Sequence, residues 1–303
     1  MKVVHSENAA SVVTNPRLRD ALHSISRNDL INLVEDLAIA RHFKYNTKNN
    51  RQIADHIFSG LSSFGYEVEF QGRFANVVAL NPQAVSNSVV LVGAHYDSVP
   101  NCPGADDNAS AVAAMMACAR SVAEFAPQLP VCFVAFNCEE DGLAGSDDFV
   151  NNYLPESGLE IREAHIPEMV GFATDTPDSQ SRPASLPIKI PSVGNFLGIM
   201  GNQNSRNFVD QVLSLGKSYL PELPVVGLKL YLGVEKLVPD LGRSDHLPFW
   251  QKGIPALMWT DTADFRNPHY HKLTDTPDTL NYAFLQKVTR LVLLQILHRA
   301  DLG

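Results

Sequence analysis

The chain has 303 residues, 45% of them hydrophobic, which is enough to bury a full core and to build one large α/β domain or two ordinary ones. A formal charge of -9, a sequence pI near 5.5 and the absence of Lys/Arg runs speak against binding to a phosphate backbone, and no apolar stretch approaches the roughly 18 residues of a membrane span. The opening stretch MKVVHSENAASVV has no apolar segment of signal-peptide length after its single Lys, so the expectation is a cytoplasmic protein with neither nucleic acid nor membrane as a partner.

Residues 16–42 and 49–64 carry helical spacing of apolar residues (Leu18, Leu22, Ile25, then Leu30, Leu33, Leu37), which predicts an N-terminal helical segment, 1–64, packed on the remainder of the domain. YEVEFQG and FANVVALN alternate or run apolar like strands, and SVVLVGA (88–94) is a third strand. A helix over about 109–125, the strand VCFVAF (131–136), a short helix near 145–154 and a strand over Met169–Thr174 come next. Residues 176–191 hold four prolines, so an irregular connection is expected there, long enough to have a functional use. A helix at about 205–219, strands in VVGLKLYL and IPALMWT, and an amphipathic helix over 281–299 (Leu285, Val288, Leu291, Val292, Gln295) complete the chain. Strand and helix alternate without a repeat or a linker, which predicts one three-layer α/β/α domain over 1–303 around a central, mostly parallel sheet. Cys102, Cys118, Cys132 and Cys138 lack CxxC spacing, so packing roles as reduced thiols are expected.

In open α/β sheets chemistry gathers at the carboxyl ends of strands. The apolar run at 131–136 ends in AFNCEEDG, with Glu139, Glu140 and Asp141 in a row. Two adjacent acids there point in different directions, so one can bind a metal while its neighbour reaches water; Asp141 reads as a solvated turn residue. After SVVLVGA come His95 and Asp97, whose i,i+2 spacing lets a carboxylate hold the imidazole for metal binding. In PGADDNAS, Asp107 or Asn108 can cap the following helix, which leaves Asp106 free to bridge two cations. Asp245, His246, His269 and His271 cluster near the chain's end. The order His95, Asp106, Glu139–Glu140, an acid near 170 and His271 suits two zinc ions about 3.5–4 Å apart with a shared carboxylate.

The motifs GAHYDSV, PGADDNAS, EEDGLAGS, SDHLPFW and NPHYHKLTDTPDTL closely resemble the co-catalytic di-zinc aminopeptidases, metallopeptidase family 28, over about residues 75–295. The resemblance implies the zinc-dependent exopeptidase fold, a mixed sheet, two divalent ions (zinc) and a peptide substrate. It implies His95 with one acid on the first ion, Glu140 with His271 on the second, Asp106 between them, Glu139 as general base and Asp97 as the group that orients His95. The remaining acid is Glu168 in PEMVGF, where the family usually has Asp; Asp175, at the end of the same apolar run, is the rival that the strand-end rule favours. Ala111 replaces a usual Gly and should affect helix packing alone. Asp245 and His246 resemble an element that lies near the site and contacts a ligand or the substrate, whereas Arg243, Arg266 and Asn267 have no assignable role. The expected activity is that of an aminopeptidase; the alternatives are a glutaminyl cyclase of the same fold, typically with one zinc, and a noncatalytic binding protein on the same scaffold.

Overall fold

The most apolar runs of the sequence form the middle of a nine-stranded sheet, because only strands covered on both faces can be apolar throughout. A computed structural model describes residues 1–298, so the end of the helix expected over 281–299 lies outside the described residues. In chain order the elements are β1 (Lys2–His5), α1 (Pro16–His23), α2 (Arg27–Leu37), α3 (Thr47–Ser63), β2 (Glu67–Gln71), β3 (Asn76–Leu80) and β4 (Ser88–His95). There follow α4 (Ala111–Phe125), β5 (Val131–Phe136), α5 (Ala144–Asp148), α6 (Leu154–Ser157), β6 (Glu160–Glu168) and β7 (Leu197–Gly201). The last elements are α7 (Arg206–Tyr219), β8 (Val225–Lys229), α8 (His246–Gln251), β9 (Ala256–Thr260) and α9 (Tyr282–His298).

The sheet order is β1-β8-β7-β9-β6-β4-β5-β3-β2. Strands β5, β4, β6 and β9 lie parallel side by side. Antiparallel pairs close both flanks: β3 on β5 and β2 on β3, then β7 on β9 and β1 on β8. The sheet is therefore mixed, with a parallel centre. Along β4, Val92 and Ala94 join the core beneath α1–α4, α7 and α9, while Leu91 joins a second core on the opposite face with Phe149 and Phe249, as the two-residue period of a strand requires. Helix α4 is rich in Ala and buried over most of its surface, which lets it pack on β4, α2 and α9 at once. All four cysteines are buried and unpaired.

Two expectations need correction, and two elements lie where none was expected. The N-terminal segment is not only helical: Lys2–His5 crosses to pair with β8, at the far edge of the sheet. The strand expected over Met169–Thr174 is instead Glu160–Glu168; its buried Glu163 and His165 broke the apolar pattern, and Trp259 Nε1 donates to His165 Nδ1 at 3.3 Å inside the core. Strand β7 and helix α8 escape the sequence pattern, because LGIMG is short and interrupted by Gly198 and Gly201 and HLPFWQ has a Pro within it.

Candidate metal centre

Parallel neighbours open their carboxyl ends on one edge of the sheet, and β4 is flanked by β5 on one side and β6 on the other, which makes that edge a topological switch point. Strand β4 ends in His95, β6 ends in Glu168, and Glu139 follows β5 by three residues. His95 Nε2 lies 3.2 Å from Glu168 Oε2 and 3.4 Å from Asp107 Oδ1. On the other side of Asp107, its Oδ2 lies 3.1 Å from His271 Nε2, which is 3.3 Å from Glu140 Oε2. Two triads result, His95–Asp107–Glu168 and Asp107–Glu140–His271, each with its donor atoms within 4.8 Å of one another. Asp97 ties the β4 and β5 loops together: it sits 3.4 Å from His95 Nδ1 and accepts the backbone N–H groups of Glu139 (3.1 Å) and Glu140 (3.4 Å).

Asp106, expected between the two ions, is turned away. Its carboxylate accepts Gly171 N–H at 2.8 Å and Asn267 Nδ2 at 2.6 Å, and Asp107 occupies the shared position instead. The expectation failed because it committed Asp107 or Asn108 to capping α4. That helix has no side-chain cap at its start, since Ser110 Oγ donates to Asp106 O and accepts Val170 N–H. Asp275 accepts the N–H groups of Asp106 (2.9 Å) and Asp107 (3.1 Å), fixing which way the two acids point. Asp175 is exposed and accepts Asn195 Nδ2 at 2.8 Å, away from both triads. With β6 ending at Glu168, the strand-end rule and the motif agree on that residue.

Sequence reasoning missed what holds Glu168. Ser244 Oγ (2.8 Å) and Asn108 Nδ2 (3.2 Å) both donate to its Oε2, and Asn108 Oδ1 accepts Met169 N–H at 2.9 Å. Ser244 begins the SDH stretch, so the signal was present in the sequence next to Asp245 and His246. Asp245 is buried beside the triads; burial, then the nearby charges of Glu168 and Asp97, push its carboxyl up to about 7 against the attraction of His95. His246 does not reach the site and has no exposed surface to offer a substrate. Its Nε2 meets Leu241 O at 2.9 Å, its ring packs edge-on to Trp250, and burial lowers its pKa to about 4, so it is neutral. His269 is absent from both triads; its Nδ1 meets Thr274 Oγ1 at 2.9 Å.

Crowded acids in a buried place resist ionisation. Burial, followed by Asp107, pushes Glu140 up to about 7 against its bond to His271. Glu139 is raised well above the usual range by burial, with Glu168, Asp245 and Glu140 adding to it and His95 opposing. Burial also opposes charge on Asp107, yet its hydrogen bonds to His271 and His95 hold it below the ordinary carboxylate range. Burial would lower His271, but Asp107 and Glu140 carry it up to about 10. The donor set fits zinc: two imidazole nitrogens and three carboxylates converge, and the buried Glu140 Oε1 has no hydrogen-bond partner among the described residues.

Beside Glu168 lies a cavity of about 150 Å³ walled by Ile188, Phe196, Met200, Leu241 and Met258. The proline-rich connection contributes residues from Gln180 to Ile190 to its wall. Arg243 and Tyr270 stand at the cavity: Arg243 donates to Tyr270 Oη (3.1 Å) and Asp264 Oδ1 (3.0 Å), and the Tyr270 ring stacks on His271 at 3.8 Å.

Comparison with known proteins places these features in company. The sequence model of peptidase family M28 matches residues 76–296. YfbL of Escherichia coli K12, an uncharacterized protein, is 34% identical over 82% of this chain and 79% of its own length. Aminopeptidase YwaD of Bacillus subtilis is 29% identical over 67% of this chain, which spans only 39% of that longer protein. Among solved structures, LapA aminopeptidase of Legionella pneumophila superposes with a TM-score of 0.76 at 17% identity, over 97% of this chain and 77% of that one. Glutaminyl cyclase of Macrostomum lignano superposes at 0.69 with 18% identity, over 97% of each. At such identities the likeness is one of fold.

Proposed function

Because the chain belongs to peptidase family M28, we propose that it is a zinc-dependent aminopeptidase that removes N-terminal residues from peptides. His95 and Glu168 would hold one ion, Glu140 and His271 a second, and Asp107 would serve both. The observation that carries this reading is the division of Asp107, whose two oxygens each face a different imidazole within 3.4 Å. Bound zinc polarises a scissile carbonyl and lowers the pKa of water, the chemistry that peptide hydrolysis needs.

The protein's own groups divide the rest of the work. Glu139 takes the proton of the attacking water and delivers it to the leaving amine, a task suited to a carboxylate that burial makes a stronger base than an exposed one. Asp97 fixes the His95 ring and the backbone that aims Glu139 and Glu140. Ser244 and Asn108 restrain Glu168. The apolar cavity beside Glu168 supports a preference for a substrate whose first side chain is itself apolar, since burying such a side chain contributes about 1.5–3 kcal/mol.

The fold of glutaminyl cyclase keeps that alternative in play, but a second triad sharing a carboxylate favours the peptidase. A panel of aminoacyl anilides with metal-loaded protein, run beside a peptide beginning with Gln, separates the two. Release of the anilide from Leu or Phe, lost to chelator and restored by zinc, is the expected result. Cyclisation of the Gln peptide without anilide release would overturn the aminopeptidase reading, and neither activity would favour the noncatalytic scaffold.

A further inference from the structure

Residues 41–50 lie outside the span matched by the family, yet they reach the loops that carry both triads. Arg41 is 1% exposed, and a buried guanidinium must direct its donors at fixed acceptors. Here they meet four backbone carbonyls. Nε donates to Tyr96 O at 2.6 Å, Nη1 to Ile39 O at 3.1 Å and to Pro103 O, and Nη2 to Gly104 O at 2.9 Å. One planar group thus joins the segment between His95 and Asp97 to the turn that delivers Asp107. That turn cannot relax easily: Gly104 has φ +60°, and a Cβ there would lie 2.2 Å from Asp107 O and 3.1 Å from Arg41 Nη1.

The same short stretch touches the third loop. Asn50 Nδ2 donates to Arg41 O (2.8 Å) and to Asn137 Oδ1 (3.0 Å), while Asn137 Nδ2 returns a bond to Asn50 Oδ1 (3.1 Å), two residues before Glu139. The charge also matters: burial opposes it, but Asp275, Asp97 and Asp107 all attract the guanidinium, which therefore offsets part of their mutual repulsion.

We propose that Arg41 is a positioning residue for the metal centre, holding the His95–Asp97 segment and the Pro103–Asp107 turn at the separation that lets Asp107 serve both triads. The proposal rests on the zinc peptidase reading for its consequence, not for its geometry. Lys keeps the charge of Arg but lacks the planar fork, so it cannot reach the Tyr96, Pro103 and Gly104 carbonyls together.

The test uses the full chain with Arg41→Lys and, should that variant not fold, Ser98→Ala, which removes the hydroxyl that accepts Arg41 N–H at 3.2 Å and donates to Cys102 O at 2.9 Å. Amide hydrogen exchange over residues 96–108, measured after chelator treatment, should quicken about tenfold or more in Arg41→Lys, and zinc affinity should fall roughly 10–100-fold, the range for groups that orient ligands. At saturating zinc, kcat should drop while KM stays within about threefold, because the substrate cavity is not touched. Ser98→Ala should show the same pattern at lower amplitude. Unchanged exchange over 96–108, or unchanged zinc affinity in a folded variant that has merely lost thermal stability, would overturn the proposal. If the parent itself bound no zinc, the peptidase reading would fail, whereas the exchange measurement would still decide whether Arg41 braces the turn.

Discussion

The two triads that share Asp107 are built from different materials. His95 and Glu168 stand at the ends of central strands, with side chains 1% and 10% exposed, and Glu168 receives hydrogen bonds from Ser244 and Asn108. Glu140 and His271 hang from loops; the His271 side chain is 36% exposed, its backbone φ is +56°, and Glu140 Oε1 has no hydrogen-bond partner among the described residues. Strand ends preorganise ligands at little entropic cost, whereas a loop must be ordered when the ion arrives. The first triad should accordingly bind tightly and exchange slowly, and the second should be the one that loads last and empties first.

The sharpest way to break this comparison is to remove what the triads share. Asp107→Ala should abolish tight metal binding at both and leave no measurable turnover. Asp106→Asn, which still offers Gly171 N–H an acceptor, should keep both ions at a stability cost of about 1–3 kcal/mol. Metal analysis after gel filtration and thermal melts check both variants; retention of metal by Asp107→Ala would dissolve the shared-carboxylate idea.

Next in size is the division within the acid doublet. Glu139→Gln should leave bound metal intact and reduce turnover by roughly 10²–10⁴, the usual worth of a positioned proton transfer. Glu140→Gln should weaken the second ion and be partly rescued by excess zinc. Equal metal loss in the two variants would remove the distinction between them.

Proton competition should mark both triads: burial would lower His95, but Glu168 and the other acids around it hold it well above the usual imidazole range, and the second triad carries two such groups. Against burial, Asp107 and Glu140 push His271 up to about 10, and burial pushes Glu140 up to about 7; both must be deprotonated to bind a cation, so affinity for the second ion should rise as pH goes from 6 to 8. The gain is about tenfold per pH unit for each proton released. Calorimetry in two buffers of different ionisation enthalpy reads that release; an affinity that fell with rising pH would contradict the assignment. The smallest effects are expected at Asp175→Ala and Asp141→Asn. Asp175 bonds only Asn195 among the described residues, and Asp141 pairs with the exposed Lys44, an ion pair that solvent screens. Both should match the parent in metal content and turnover.

The strand-borne half of the site was largely legible in the sequence, because buried parallel strands must be apolar and a polar residue at their ends stands out. His95 at the end of SVVLVGA is such a case, and the Glu139–Glu140 doublet, although it lies on a loop, stood out because it follows VCFVAF so closely. The same rule misled at β6, where buried Glu163 and His165 hid the strand and moved its apparent end to Asp175. The choice of Asp106 over Asp107 came from local capping logic, whereas the orientation is set by Asp275, about 170 residues downstream, through bonds to both backbone N–H groups. No local rule could have found that, or the reach of Arg41 across the Pro103–Gly104 turn. Sequence pattern locates chemistry on a strand end; only tertiary hydrogen bonds decide which of two adjacent acids faces it.

The most direct test is metal analysis of zinc-equilibrated, gel-filtered protein during stepwise chelation, with activity followed on the same samples. The expected result is two zinc ions per chain, the first withdrawn easily from the Glu140–His271 side and taking most of the activity with it, the second resisting. A single zinc per chain with activity intact would contradict a centre in which Asp107 serves two ions.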